Sequence, residues 1–349
     1  MNRFWTFIFL YIALLGAGCI GDDMVDDQLM EMELEVPDHF PLPEIPANNP
    51  LTPAKADLGK RLFFDPILSR DRNLSCGSCH FQEHAFADPR RLSLGTDSLP
   101  GSRNAPPLFN LVYHKSFFWD GANPSLEQQA LFPIESHFEL ATPLPEVLRR
   151  LKADSDYPVL FHYTFGDTIT AKYLVQALAS FERTLISAGS KYDQFLATGL
   201  DSAIFSAQEW RGYKLFFSET DQDRHAECFH CHGGFNLDDP EGRFRNNGLY
   251  LAYEDDGRYL VTGDEFDRGK FKVPSLRNIE HTAPYMHDGS LATLEEVLDH
   301  YASGGHLHQN RDILMGMISI DSTQKQDILA FLKTLSDPGF LSNPAFRPD

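Results

Sequence analysis

Two short runs of the chain pair thiols with an imidazole at one spacing: Cys76-Gly77-Ser78-Cys79-His80 and Cys228-Phe229-His230-Cys231-His232. In C-x-x-C-H the two thiols add across the vinyl groups of a porphyrin, and the His that follows becomes an iron ligand. A bare C-x-x-C also serves as half of a zinc site or as a redox dithiol. Both copies carry the His, however, and they begin at residues 76 and 228, 152 apart, far beyond zinc-ribbon spacing. The pattern predicts two covalent haem c groups, held by Cys76, Cys79, Cys228 and Cys231, with His80 and His232 on the irons.

The opposite face of each iron decides the chemistry, since an open face reacts with peroxide or another small molecule. No methionine occurs between Met32 and Met286, so the first haem cannot take an axial Met from its own folded unit. His84, His114 and His137 are the remaining imidazoles, each more commonly a surface or packing residue. An open first haem is therefore expected. Peroxide cleavage there calls for a group that takes a proton from the inner oxygen and returns it to the departing one. Glu135 and Glu139 are both placed for this by the chain, with Gln129 as a polar companion. For the second haem the residues leave Tyr301, Met286, Met315 and Met317 open.

The elements that must position these groups are helical. Thr52-Pro53 caps and opens a helix with Leu58, Leu62 and Phe63 on its apolar face. Ser125-Leu126-Glu127-Gln128 is a capping box for a helix through Gln129, with Pro133 as its stop. Thr170 to Ala188 reads as one amphipathic helix ended by Gly189. Ser206 and Thr293 head further capping boxes, and a last helix is expected from Ser322 to Leu335. Strand signal is confined to short hairpins around residues 244–262. The class is mainly α.

The second half repeats the first. Gly212-Tyr213-Lys214-Leu215-Phe216-Phe217 matches Gly59-Lys60-Arg61-Leu62-Phe63-Phe64, and each block shortly precedes its C-x-x-C-H. Asn110 to Asp120-Gly121 spans the same distance as Asn278 to Asp288-Gly289, and Leu126-Glu127 matches Leu294-Glu295. Under this alignment Trp119 answers to His287, Gln129 to Val297 and Phe118 to Met286. Two tandem cytochrome c-like haem domains, arising from an internal duplication, are expected at 52–203 and 204–349.

Residues 1–19 read as a leader: Arg3, an apolar run from Phe4 to Leu15, then small residues. Leu15-Gly16-Ala17-Gly18-Cys19 is similar to a bacterial lipobox, which makes Cys19 the expected lipidated N-terminus and the membrane a partner through that anchor. Residues 20–51 are acidic and then proline-rich, the composition of a tether. The net charge of −20 argues against nucleic acid as a partner and favours a small basic protein.

Over residues 52–337 the chain resembles the bacterial di-haem cytochrome c peroxidases, in particular the subgroup that includes MauG. The resemblance is carried by both C-x-x-C-H motifs, Arg103-Asn104-Ala105-Pro106, Phe118-Trp119-Asp120-Gly121, Leu126-Glu127-Gln128-Gln129 and Thr282-Ala283-Pro284-Tyr285-Met286-His287-Asp288-Gly289. It implies a peroxidatic first haem on His80 and an electron-transfer haem on His232, with Trp119 between them. It implies Gln129 and Glu139 in the distal pocket, which selects Glu139 over Glu135. Asn104, Thr282 and Pro284 match positions that bind one calcium ion. Two departures stand out. Thr96 occupies the place of a His that, in typical members, blocks the first haem until the second is reduced, so activity without prior reduction is expected. Tyr301 replaces the axial Met of the second haem, which is the MauG pattern.

With the leader and Cys19, the expected location is the periplasm of a Gram-negative bacterium, as a lipid-anchored protein. Its expected work is reduction of hydrogen peroxide with electrons from a small protein, a cytochrome c or a cupredoxin. The alternatives are MauG-type oxidation of a partner protein through a high-valent di-haem state, and a non-enzymatic electron carrier. Members of the family are often homodimers.

Overall fold

The computed structural model describes residues 27–217 and 226–348; the leader and Cys19 lie outside them. In chain order the helices are α1 (Pro53–Phe64), α2 (Leu126–Gln129), α3 (Leu131–Glu135), α4 (Leu144–Ala153), α5 (Tyr157–Phe165), α6 (Ala171–Thr184), α7 (Lys191–Ala197), α8 (Ala207–Phe217), α9 (Tyr259–Thr262), α10 (Leu294–Ala302), α11 (Ser322–Lys333) and α12 (Pro338–Ser342). The strands are β1 (Phe244–Arg245) and β2 (Phe271–Lys272), paired antiparallel. The partner of β1 thus comes from outside the 244–262 window in which hairpins were expected. The class is mainly helical, and no described helix is long and apolar enough to cross a membrane.

Two helix pairs form the frame. α1 crosses α6 where Gly59 lets the backbones meet: a Cβ there would stand 1.9 Å from the Ala177 carbonyl oxygen. α8 crosses α11 at Gly212, where a Cβ would stand 1.9 Å from the Asp327 carbonyl oxygen. The likeness extends to loops. The N–H groups of Asn110 and Asn278 donate to Leu185 O and Leu335 O, and those of Leu108 and Leu276 to Ala85 O and Leu237 O. Asn110 and Asn278 both take φ values in the left-handed region, which Asn tolerates better than most side chains.

Each pair builds its own core. The first gathers Leu62, Phe63, Phe86, Phe109, Leu178 and Phe181. The second gathers Phe216, Leu294, Leu298, Ile328 and Phe331. Core membership does not follow a boundary at 203/204. Tyr192 and Phe195 of α7 pack in the second core, whereas Phe340 of α12 packs in the first, with Gln82 Nε2 donating to its carbonyl.

Three local expectations need correction. The helix opened by Ser125 runs through Gln129 as expected, but Pro133 is not its stop: it ends at Ala130, and Pro133 sits at the third position of α3. There its missing N–H would have had no intrahelical partner anyway. The helix after Thr170 ends at Thr184, because Asn110 pulls the chain aside by accepting the Ser187 N–H through Oδ1 and donating to Ser187 O. The acidic, proline-rich stretch is not a free tether along its described length. Phe40 is buried against Tyr113 and Phe235, His39 bonds to Asp193, and Asn49 donates to Glu127 and Gln176. Composition misses this because two or three anchoring residues suffice to order a proline-stiffened strap.

Candidate active site

Each C-x-x-C-H opens on a single 3-10 turn, Cys76–Ser78 and Cys228–His230, which turns both thiols to one side. His80 Nδ1 donates to Phe86 O at 2.6 Å and His232 Nδ1 to Pro274 O at 3.1 Å. A carbonyl can only accept, so the proton sits on Nδ1 and Nε2 keeps its lone pair for a metal. Burial lowers the pKa of both imidazoles, which favours the neutral, ligating form. The four motif cysteines form no disulfide among the described residues, and burial pushes the Cys228 thiol up to about 12. No three His, Cys, Asp or Glu side chains converge as a metal cluster among the described residues, so the zinc alternative finds no further partners. The residues fit haem in another respect. Arg245 Nε is buried without a partner and its guanidinium is electrostatically coupled to Cys231, a position suited to a propionate.

Around the first motif, Glu139 is half-buried and burial raises its carboxyl to about 7, against the opposing Ser136 hydrogen bond. Its charge is felt by Cys76 and Cys79. Thr96 is buried, and both its N–H and its hydroxyl donate to Glu139 O at 2.8 Å. The loop lies so close to Phe138 that Gly95 has no room for a Cβ, which would stand 2.0 Å from the Phe138 carbonyl oxygen. Glu135, by contrast, is exposed, and its Oε1 accepts from the Leu144 N–H. Gln129 lies half-buried at the end of α2.

The imidazoles considered as blocking ligands are turned elsewhere. His84 Nδ1 meets His281 O, His114 Nδ1 accepts from Lys272 Nζ at 2.9 Å, and His137 is exposed.

Trp119 is tied to both halves: its indole N–H donates to Asn104 O at 2.8 Å, and its carbonyl accepts from Lys272 N–H at 2.7 Å. Arg103 reinforces the seam, reaching Asp120 at 2.7 Å and Asp255 at 2.6 Å. Asn104 also meets the 282–289 loop through its N–H to His287 O, and its amide donates to Arg90 O and Arg91 O. Thr282 is buried with its hydroxyl on Ile279 O, and Pro284 follows a cis bond. No hydrogen bond joins Asn104 to Thr282 or Pro284 directly.

At the second motif α10 carries Tyr301, whose phenol interacts electrostatically with Cys228 and Cys231 and is raised to about 12 by burial. Asn247 lies beside Tyr301 and favours its ionised form against burial, and its amide donates to Met286 Sδ at 3.3 Å. Met315 is buried and Met317 exposed.

Sequence reasoning passed over Glu182. It is buried on α6, its Oε2 has no partner, burial raises its carboxyl to about 8, and it is the leading charged neighbour of Cys76. Its one signal is a carboxylate interrupting the apolar stripe of α6.

A family model described as di-haem cytochrome c peroxidase matches residues 53–200. The chain is 38% identical over 303 residues to the methylamine utilization protein MauG of Methylorubrum extorquens, covering 86% of this chain and 83% of that one. It is 36% identical to the cytochrome c551 peroxidase of Nitrosomonas europaea, covering 83% and 85%. Among solved structures, a MauG-like protein associated with microbial copper homeostasis superposes with a TM-score of 0.83 at 37% identity, covering 90% of this chain and 99% of that one.

Proposed function

Because this chain belongs to the di-haem cytochrome c peroxidase family, we propose that it reduces hydrogen peroxide to water with electrons drawn from a small redox protein. Cys76, Cys79 and His80 would hold one c-type haem and Cys228, Cys231 and His232 a second, which would supply redox iron for O–O cleavage and a one-electron store. The observation that carries the reading is Glu139: a carboxyl poised near neutrality beside the first motif, its backbone clamped by Thr96. Its anion can take a proton from one peroxide oxygen and return it to the other, so that water departs instead of hydroxide. Gln129 orients the substrate, and Trp119, bonded into both halves, lies on the electron path. With Thr96 spent on Glu139, no imidazole stands in that loop to block the first site.

Peroxide turnover by fully oxidised, haem-loaded protein with a reduced cytochrome c tests this. Rapid turnover without prior reduction is the expected result. Turnover only after reductive treatment overturns the open-site reading.

Tyr301 supports a second reading, oxidation of a partner protein as in MauG. Were Tyr301 to supply an anionic oxygen to a haem held by Cys228, Cys231 and His232, it would favour a low potential, which suits storage of oxidising equivalents better than electron uptake. Tyr301→Met is expected to raise that haem's midpoint potential by on the order of 100 mV or more, read by spectroelectrochemistry. An unchanged potential removes Tyr301 as ligand.

The matched hydrogen bonds and glycine crossings support descent of both halves from one duplicated unit. The leader and Cys19 support a periplasmic lipoprotein, and Asn104, Thr282 and Pro284 are the candidate calcium ligands, supported by their place at the seam.

A further inference from the structure

α8 carries an indole and a phenol three residues apart. Trp210 and Tyr213 stack with ring centroids 4.9 Å apart and planes within 9°. Tyr213 meets Phe217 at 4.8 Å, and Phe217 meets Phe229 at 6.3 Å. Phe229 lies between Cys228 and Cys231, so the inner end of this row abuts the second attachment motif. Its outer end reaches the surface, since Trp210 and Tyr213 are only half-buried. Trp and Tyr lose an electron far more readily than Phe, whose ring still couples neighbours at van der Waals distance.

Both rings also pack on Phe195 and Phe205 of the second core, but the first half builds the corresponding crossing without such a pair. In the register fixed by Gly59 and Gly212, the first half has Asp57 and Lys60 at the same places on α1, and neither can be oxidised in this way. The helix crossing tolerates charged, solvated side chains there, yet the second half places two oxidisable rings in contact and in line with its motif.

We propose that Trp210 and Tyr213 form a one-electron path between the second haem site and the surface, with Trp210 as the outer station for a phenolic reductant such as a tyrosine of a partner protein. The inference rests on the peroxide-reducing reading. In each transfer Trp210 yields one electron inward through Tyr213, and its N–H proton passes to solvent. A phenol then returns one electron and one proton to the indole and leaves as a phenoxyl radical. Two such transfers supply the two electrons that, with two protons, convert one hydrogen peroxide to two waters.

The test uses the full haem-loaded chain, peroxide and a nitroso spin trap, without added donor, followed by peptide mass mapping. An adduct on Trp210 is expected. In Trp210→Phe it should be lost from that position and appear on Tyr213. In the Trp210→Phe/Tyr213→Phe double variant α8 should carry none, and the optical signature of the peroxide-oxidised protein should outlast that of the parent several-fold. Phenylalanine keeps the ring packing, so these variants retain the core. Turnover with reduced cytochrome c separates the two questions. A parent protein that cannot reduce peroxide refutes the functional reading. Normal turnover with no adduct in α8 and an unchanged lifetime in the double variant overturns the path alone.

Discussion

Gly59 seats α1 on Ala177 and Phe181, and Gly212 seats α8 on Asp327 and Phe331, with the same short approaches. One residue beyond Phe181 and Phe331 the halves part. Where α6 buries Glu182 beside Cys76, the register puts Leu332 of α11 in the second core. Trp119 answers to His287, which stacks on Phe271 at 3.8 Å, and Gln129 answers to Val297. At the same offset, Tyr301 answers to Pro133, whose side chain has no atom able to bind iron. Groups that set backbone approach are the same in both halves, and groups that face the cofactor are exchanged. One frame thus carries two environments: a first site with two raised carboxyls, and a second with a buried phenol beside Asn247.

The sharpest way to break this contrast is Glu139→Gln, which keeps the shape and removes the proton carrier. Peroxide turnover should fall by roughly 10²–10⁴-fold, the usual worth of a positioned acid–base group. In the parent the anion is the working form in the free protein, and burial holds its pKa at about 7. The turnover rate should therefore rise with pH through about 7, and the glutamine variant should lose that inflection. A parent rate flat across this range would put the proton elsewhere.

Substitutions at the shared contacts should act alike. Gly59→Ala and Gly212→Ala each drive a Cβ into a carbonyl 1.9 Å away. Such overpacking typically costs about 1–3 kcal/mol and occasionally more. Denaturant unfolding of the loaded protein should show similar losses for both, and a mild effect from only one would mean that the halves do not share their crossing.

The frame was legible because glycines, helix caps and haem motifs act over short sequence spans. Thr52, Ser206 and Thr293 each cap the helix expected of them. The mainly helical class followed from such local signals. What stayed hidden depends on distant partners. The strap's order hangs on Phe40 meeting Tyr113 and Phe235, and α6 ends early because of Asn110, 77 residues away. In the site, Glu139 and Tyr301 were among the candidates the residues offered, but only resemblance singled them out. Their neighbours Thr96 and Asn247 gave no sequence signal of the contacts they make, since a Thr or Asn is equally at home on any loop. Glu182 was missed because a single carboxylate in a helix reads as solvated until burial is known.

Glu182 allows the subtlest separation of the two halves. Below its ordinary value of 4.5 the carboxyl is protonated folded or unfolded, and pH has no effect through it. Between 4.5 and about 8 the unfolded chain releases the proton while the folded chain keeps it. The unfolded state then binds fewer protons, so stability falls as pH rises across that window and levels off above it. Glu139 adds a slope of the same sign only up to about 7. Lys272, which burial lowers to about 8, acts alike in parent and variant, so it is their difference that isolates Glu182. Replacing Glu182 with the residue at the matching position, Glu182→Leu, should abolish its share of the loss across that window and stabilise the loaded protein at pH 9 by about 1–3 kcal/mol, the cost of a buried polar group left unsatisfied. At pH 5 the two proteins should unfold at nearly the same denaturant concentration. An equal gain at both pH values would assign the effect to packing, and the first half would then differ from the second at this position in shape rather than in charge.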